Sequence, residues 1–210
     1  DLALFKWGCH VLIQTCRRLG IDDPLEARWR DVVERLVHFP TDANGFMLGA
    51  DESSNPDHRH FSHLLAIYPL YLVHWDDDVH RDAVLRSAAL AHEGSGETSG
   101  GRTLEAMVQT HVAPISASIG DGNRALEGLK RLADELTPNG LWPCSGNPCI
   151  ESTLSIANIV QTMLIQSWSD PASDTPGAIR VFPALPSTWE DVEFHDLRAE
   201  GAFLVSARYR

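Results

Sequence analysis

The chain has no apolar run of eighteen or more residues, no cluster of lysine and arginine, and four cysteines in 210 residues. The first absence excludes a membrane-spanning helix, which needs about 20 consecutive apolar positions. The second excludes a nucleic-acid backbone as partner, because affinity for phosphates comes from grouped cations, and here 29 acidic residues outweigh 17 basic ones. A formal net charge of −12 suits a neutral or cationic ligand better. The cysteines lack the spacing of a zinc knuckle. Cys9 and Cys16 lie about 10 Å apart along one predicted helix, beyond disulfide reach, and read as core thiols. Cys144 and Cys149 flank Ser-Gly-Asn-Pro and could bridge a short loop in a secreted protein, with buried thiols the default. A phosphate loop is missing too. Gly94 to Gly101 is rich in glycine and serine, but no strand precedes it and no Gly-Lys-Ser closes it, so it reads as an inter-helix loop.

The chain begins at Asp1, without methionine and already inside a helical pattern, and stops at Arg210 inside a strand pattern. A piece of a longer polypeptide is expected, its partner being the remainder N-terminal to Asp1; the missing signal peptide is uninformative.

What is present is mainly helical periodicity. Leu4, Trp7, Val11, Leu12, Thr15 and Leu19 recur at helical spacing, and Gly20 ends the segment. Asp23-Pro24 starts a second helix with Leu25, Trp29, Val32, Val33, Leu36 and Val37 on one face, and the two predict an antiparallel hairpin. A long loop over 39–57 follows. Further helices are expected over 62–71, 76–91, 103–119, 123–136 and 151–168. After Trp168 comes a linker over 170–177, and then strand patterns at Ile179, Val181 and Phe182, at Val192, Phe194 and Leu197, and at Phe203, Val205 and Ala207. The expected organisation is a helical unit over 1–169, a linker over 170–177, and the opening of a β-domain over 178–210. About seven helices in hairpin pairs point to a bundle or toroid.

Chemistry concentrates at His58-Arg59-His60-Phe61-Ser62-His63, which runs directly into Leu64, Leu65 and Ile67. Polar groups entering an apolar segment mark the mouth of a pocket. His60 and His63 stand near enough on a helix to share an ion, yet Arg59 brings a cation into the same shell and no carboxylate completes a familiar spacing, so no metal is assigned. Downstream, Glu151 opens an apolar helix, where the dipole favours an anion. On the residues alone Glu151 caps that helix.

The run from His58 to Leu64 with Tyr68-Pro69 resembles the HRHxSHL...LYP signature of glycoside hydrolase family 95, the inverting α-L-fucosidase family. The order of later features agrees: Gly120-Asp121-Gly122, Ile150-Glu151-Ser152-Thr153, Met163-Leu164-Ile165-Gln166-Ser167, Val181-Phe182-Pro183-Ala184-Leu185-Pro186, Trp189, and Leu197 to Val205. The resemblance implies a mainly α fold: the second half of an (α/α)6 toroid of helical hairpins, followed by the first strands of a C-terminal β-sandwich. It implies a carbohydrate substrate in the toroid's central pocket and no cofactor. Arg59 and His60 fall on the sugar-contacting positions, a fixed fork of donors and an imidazole suited to hydroxyls. Glu151 falls on a carboxylate that orients the asparagine which activates water, and becomes the catalytic candidate. His58 and His63 take structural roles. The asparagine and the general acid would lie before Asp1, so this chain is expected to lack the acid. Secreted members of the family point to an extracytoplasmic location.

Two departures stand against a full transfer. Glu151-Ser152-Thr153-Leu154-Ser155 replaces Asp-Gly-Asn-Phe-Gly, and Gly101-Arg102-Thr103 with Met107 replaces Gly-Trp-Ser with a following Trp. Exo-hydrolysis of an α-L-fucoside or α-L-galactoside by inversion is the reading these residues carry. The alternatives are a toroidal polysaccharide lyase using Tyr68 or His60 for proton abstraction, and a carbohydrate-binding relic.

Overall fold

The computed structural model describes residues 1–55, 61–94, 105–144, 147–173 and 177–210, with the backbone alone at 94, 105, 106, 142–144 and 147–149. Six α-helices lie within these residues: α1 (Leu2–Leu19), α2 (Glu26–Arg35), α3 (Arg81–Gly94), α4 (Glu105–Ser118), α5 (Gly122–Asp134) and α6 (Glu151–Leu164). Short strands form antiparallel pairs: β1 (Thr41–Asp42) with β2 (Gly45–Phe46), β3 (Trp142–Cys144) with β4 (Asn147–Cys149), β5 (Ile165–Gln166) with β6 (Arg180–Val181), and β7 (Val192–Ala199) with β8 (Phe203–Tyr209). The fold is mainly α with a β region at its C-terminal end.

Helix α1 ends where Gly20 adopts φ 65° and ψ 32°, its N–H donating to the Cys16 carbonyl, with Arg17 and Arg18 in the negative last turn. Asp23 Oδ1 accepts from the Leu25 N–H at 2.8 Å, and α2 begins one residue later, beyond Pro24. The two helices pack as the expected hairpin. The face of α1 that is buried is another matter. Ala3, Cys9, Ile13 and Cys16 turn inward, whereas Leu4, Trp7, Leu12 and Leu19 are exposed. Apolar residues occupy more than one side of α1, and which side is covered depends on the neighbours present rather than on hydropathy. The two cysteines are free core thiols, as their spacing predicts.

Three helical expectations are corrected. Over 62–71 there is a 3-10 turn at Ser62–Leu64 followed by tight turns, with i to i−3 bonds from Leu64 to Phe61 and from Ile67 to Leu64. Pro69 lacks the N–H that a helix would need and disfavours the helical region at Tyr68. The segment is buried at Leu64, Ala66, Ile67 and Val73, and the Ala66 carbonyl accepts from the amides of both Leu72 and Val73. Helix α3 starts at Arg81 instead of Asp76, after turns held by Asp77. Helix α6 stops at Leu164: Ile165 is extended at φ −149°, and β5 pairs with β6 in a register of Ile165 with Val181 and Gln166 with Arg180. The long loop before residue 58 also contains structure. The Gly45-Phe46 strand lies against α3, where the Phe46 N–H donates to Ser87 Oγ at 2.7 Å and the ring is 2% exposed.

Helix α4 joins two clusters of the core. Val108, Val112 and Ile115 face Phe46, Phe61, Leu64, Ile67 and Val84, while Ala113 and Ala117 face Ala125 and Leu132 of α5 and Ile159 and Met163 of α6. Small residues permit the close approach of α4 and α5: a Cβ on Gly128 would lie 2.7 Å from the Ala113 Cβ. The C-terminal segment is bound into the same core. The Phe182 and Ala184 amides donate to the Leu164 and Met163 carbonyls at 2.8 and 3.3 Å, and Ala184 is 1% exposed among α5 and α6 residues. A third cluster, Ile165, Phe194 and Ala199, joins the end of α6 to β7.

Candidate functional site

Arg59 and His60, with His58, lie outside the described residues, and so does most of the Gly94 to Gly101 loop. The flanks of the cluster are described. Phe61 is 7% exposed; its ring centroid is 5.6 Å from that of His111 on α4 and 6.5 Å from that of His63. His63 Nε2 hydrogen-bonds Ser54 Oγ at 3.1 Å, so it ties the end of the long loop to the turn that follows the cluster. That is a structural role of the kind expected for it. Ser54, itself buried, and Phe61 bracket the cluster from both sides.

Glu151 is the first residue of α6 and is exposed. The phase of the helix puts it there: the neighbouring Ser152 is 0% exposed, and Ile159 and Met163 pin the opposite face in the core. Thr153 Oγ1 donates to the Gly140 carbonyl, which anchors the first turn to the loop after α5. Among the described residues Glu151 makes no hydrogen bond or ion pair. Its carboxylate therefore stands free at the N-terminus of α6.

One connection links this helix to the segment following the histidines. Asn158, two turns along α6 from Glu151 and on the same side, donates through Nδ2 to the hydroxyl of Tyr68. Tyr68 packs edge-on against Tyr71 at 5.8 Å, and Tyr71 stacks on Trp168 at 4.8 Å. Sequence reasoning singled out Tyr68 but missed Asn158, whose signal was its seven-residue spacing from Glu151 on a helix.

Two larger concavities lie elsewhere. One, about 390 Å³, is lined by His74, Asp76, Asp77, Trp168, Asp170 and Arg180, at the far end of α6 and about 20 Å from Glu151 by helical rise. Its wall is a stack: the His74 ring lies 4.2 Å from Trp168, and the Arg180 guanidinium 4.0 Å. Burial holds the His74 imidazole below its usual pKa and pushes the Tyr71 phenol above its own. The other, about 790 Å³, runs between α1 and the tip of the β7–β8 hairpin, past Trp7, Arg18, Glu200 and Phe203. Neither contains a residue singled out for chemistry in the sequence. No group of three His, Cys, Asp or Glu side chains among the described residues is placed to hold a metal ion, and no helix among them is long and apolar enough to cross a membrane.

Residues 1–164, ending at the last residue of α6, match the glycosyl hydrolase family 95 catalytic domain. The chain belongs to that family. No curated protein matches it. Membership of family 95 makes glycoside hydrolysis the general activity class and a carbohydrate the class of substrate. The match covers the helices and the loop that carries Arg59 and His60, and it includes Glu151 and Asn158.

Proposed function

We propose that this chain supplies the second half of an (α/α)6 toroid in an inverting exo-glycosidase that hydrolyses α-L-fucosides or α-L-galactosides. The observation that carries the reading is Glu151: a carboxylate free of hydrogen bonds among the described residues, exposed at the start of α6, on the side that reaches the segment after the histidine cluster. An inverting enzyme needs a carboxylic acid and a base separated by roughly 6.5 to 9.5 Å, so that a water fits between them. Glu151 orients the asparagine that activates this water, and that asparagine and the general acid belong to the polypeptide preceding Asp1. Arg59 and His60 hold sugar hydroxyls. The exposed Leu4, Trp7 and Leu12 of α1 and Leu25 beside α2 support the half-toroid, since helices completing the ring would cover them. Residues 178–210 open the β-domain, and an extracytoplasmic location goes with this assignment.

The test is an assay of the full polypeptide on aryl α-L-fucosides and α-L-galactosides, before and after Glu151→Gln. The expected outcome is a fall in kcat of about a hundredfold or more with little change in KM, the pattern of a group that acts only in the transition state. Unchanged turnover removes Glu151 from the mechanism. An unsaturated uronate product would establish a lyase in place of a hydrolase.

A further inference from the structure

Helix α6 begins without a side-chain cap. Its N-cap position is Ile150, which has no side-chain oxygen to accept from the first-turn amides and is itself exposed. A helix starts with four amides that have no partner inside it, and an uncapped first turn is the part that opens most readily. The Leu154 N–H closes this turn on the Ile150 carbonyl at 3.1 Å. Most of its side chains add nothing: Glu151 is exposed with no hydrogen bond among the described residues, the buried Ser152 hydroxyl has no partner among them, and Leu154 is apolar and exposed. Thr153 is the exception. Its hydroxyl donates to the Gly140 carbonyl in the loop after α5.

The acceptor is held firmly. Gly140 closes a turn by donating its N–H to the Thr137 carbonyl at 2.8 Å, and its φ of 75° is a left-handed value that suits glycine. Thr137 is tied in turn to Leu141. The Thr137 amide donates to the Leu141 carbonyl at 2.8 Å; its hydroxyl donates to the same carbonyl at 2.7 Å and accepts from the Leu141 N–H at 3.2 Å. The Gly140 carbonyl therefore belongs to a loop closed across its base. Thr153 lies two residues after Glu151, about 200° round the helix axis, so its bond grips the first turn from the side away from the carboxylate.

We propose that Thr153 is the positioning residue for Glu151, mooring the first turn of α6 to the Thr137–Leu141 loop so that the carboxylate keeps one place. The inference rests on the glycosidase reading of Glu151 and deepens it. A group that orients another for chemistry has to be held within about 0.5 Å, and a misplacement of about 1 Å costs up to about a hundredfold in rate. Among the described residues no side chain holds Glu151 directly, so its placement falls to the backbone of the first turn, and that backbone is tethered through Thr153.

The experiment uses the full polypeptide and the aryl glycoside that it turns over. Thr153→Val keeps the shape of the side chain and deletes the hydroxyl; Thr153→Ser keeps the hydroxyl. The valine variant should lose about tenfold in kcat with KM little changed, and the serine variant should stay within about threefold of the wild type. In a Glu151→Gln background Thr153→Val should cost nothing further, because the group that it positions is already gone. Unchanged kcat in Thr153→Val overturns the assignment even if Tm falls, since the contact would then serve stability alone. A tenfold loss repeated in the Glu151→Gln background also overturns it, as does a serine variant no better than the valine one. If Glu151→Gln itself turns over at the wild-type rate, or the wild type hydrolyses no fucoside or galactoside, it is the functional reading that fails, and the mooring is read instead from hydrogen exchange at the Leu154 amide. Exchange that quickens in Thr153→Val upholds the tether; equal exchange in the two proteins overturns it.

Discussion

His74 is where a single side chain most visibly carries an energetic consequence. Its ring lies 4.2 Å from Trp168, and burial lowers its pKa below the ordinary 6.5, with Arg180 adding to the effect and Asp170, Asp76 and Asp77 opposing it. The folded state therefore holds fewer protons on His74 than the unfolded chain does near pH 6. Stability from this group is present above about pH 6.5 and is lost as pH falls through the folded pKa. His10 on α1 is lowered in the same direction, chiefly by burial. Asp77 is depressed by its hydrogen bond to His80 and acts only in the more acidic carboxylate range. His74→Phe retains the stacking and removes the titration, so the fall in Tm between pH 7.5 and 5.5 should be smaller in the variant than in the wild type. Equal slopes would show that His74 does not contribute. None of this was legible in the sequence, where His74 is one of ten histidines and nothing marks its packing. Glu151 was legible, because its place before an apolar helix is a one-dimensional pattern.

At the scale of elements, the Gly120-Asp121-Gly122 turn and the Val181 to Pro186 segment were singled out separately in the sequence, and the structure brings them together. Asp121 caps α5 by accepting from the Arg124 N–H at 3.0 Å. Gly122, the first residue of α5, is so close to the Ala184 carbonyl and to Leu185 that an added Cβ would overlap backbone atoms. Asn123 Oδ1 accepts from both the amide and the hydroxyl of Ser187 at 2.9 and 3.1 Å. Backbone cannot yield as a flexible side chain does, so Gly122→Ala should destabilise by about 1 to 3 kcal/mol, the usual cost of overpacking. A chemical-denaturation midpoint unchanged from the wild type would refute this. The glycine stop of α1 and the strongly amphipathic α5 with its Asp121 cap were legible from sequence. The 62–71 segment was not, because apolar residues on every side of a short buried stretch carry no period that distinguishes helix from turns.

At the scale of the whole molecule, the expected linker over 170–177 is bridged by contacts from both sides. Gln14 on α1 donates to the Ser173 carbonyl at 2.6 Å, Ser169 Oγ donates to Glu200 at 2.5 Å, and β6 pairs with β5 directly after α6. Ala184 completes the core between α5 and α6. A chain ending at residue 177 should therefore lose its cooperative melting transition and bind a hydrophobic dye in the cold. A sharp transition near that of residues 1–210 would show that the helices stand alone. The sequence by itself determined the mainly helical character, the glycine stop of α1, the existence of α5, the late change to strands, and the run of histidines and arginine. These depend on residues close together in the chain, on caps and periods that the backbone reads locally. The tertiary structure alone decided that α1 buries Ala3 and Ile13 instead of Leu4 and Trp7, that α6 yields to a strand at Ile165, and that Asn158 meets Tyr68 ninety residues away. Those outcomes follow from which surfaces are covered once the chain is packed, and burial is a property of neighbours brought from elsewhere in the chain.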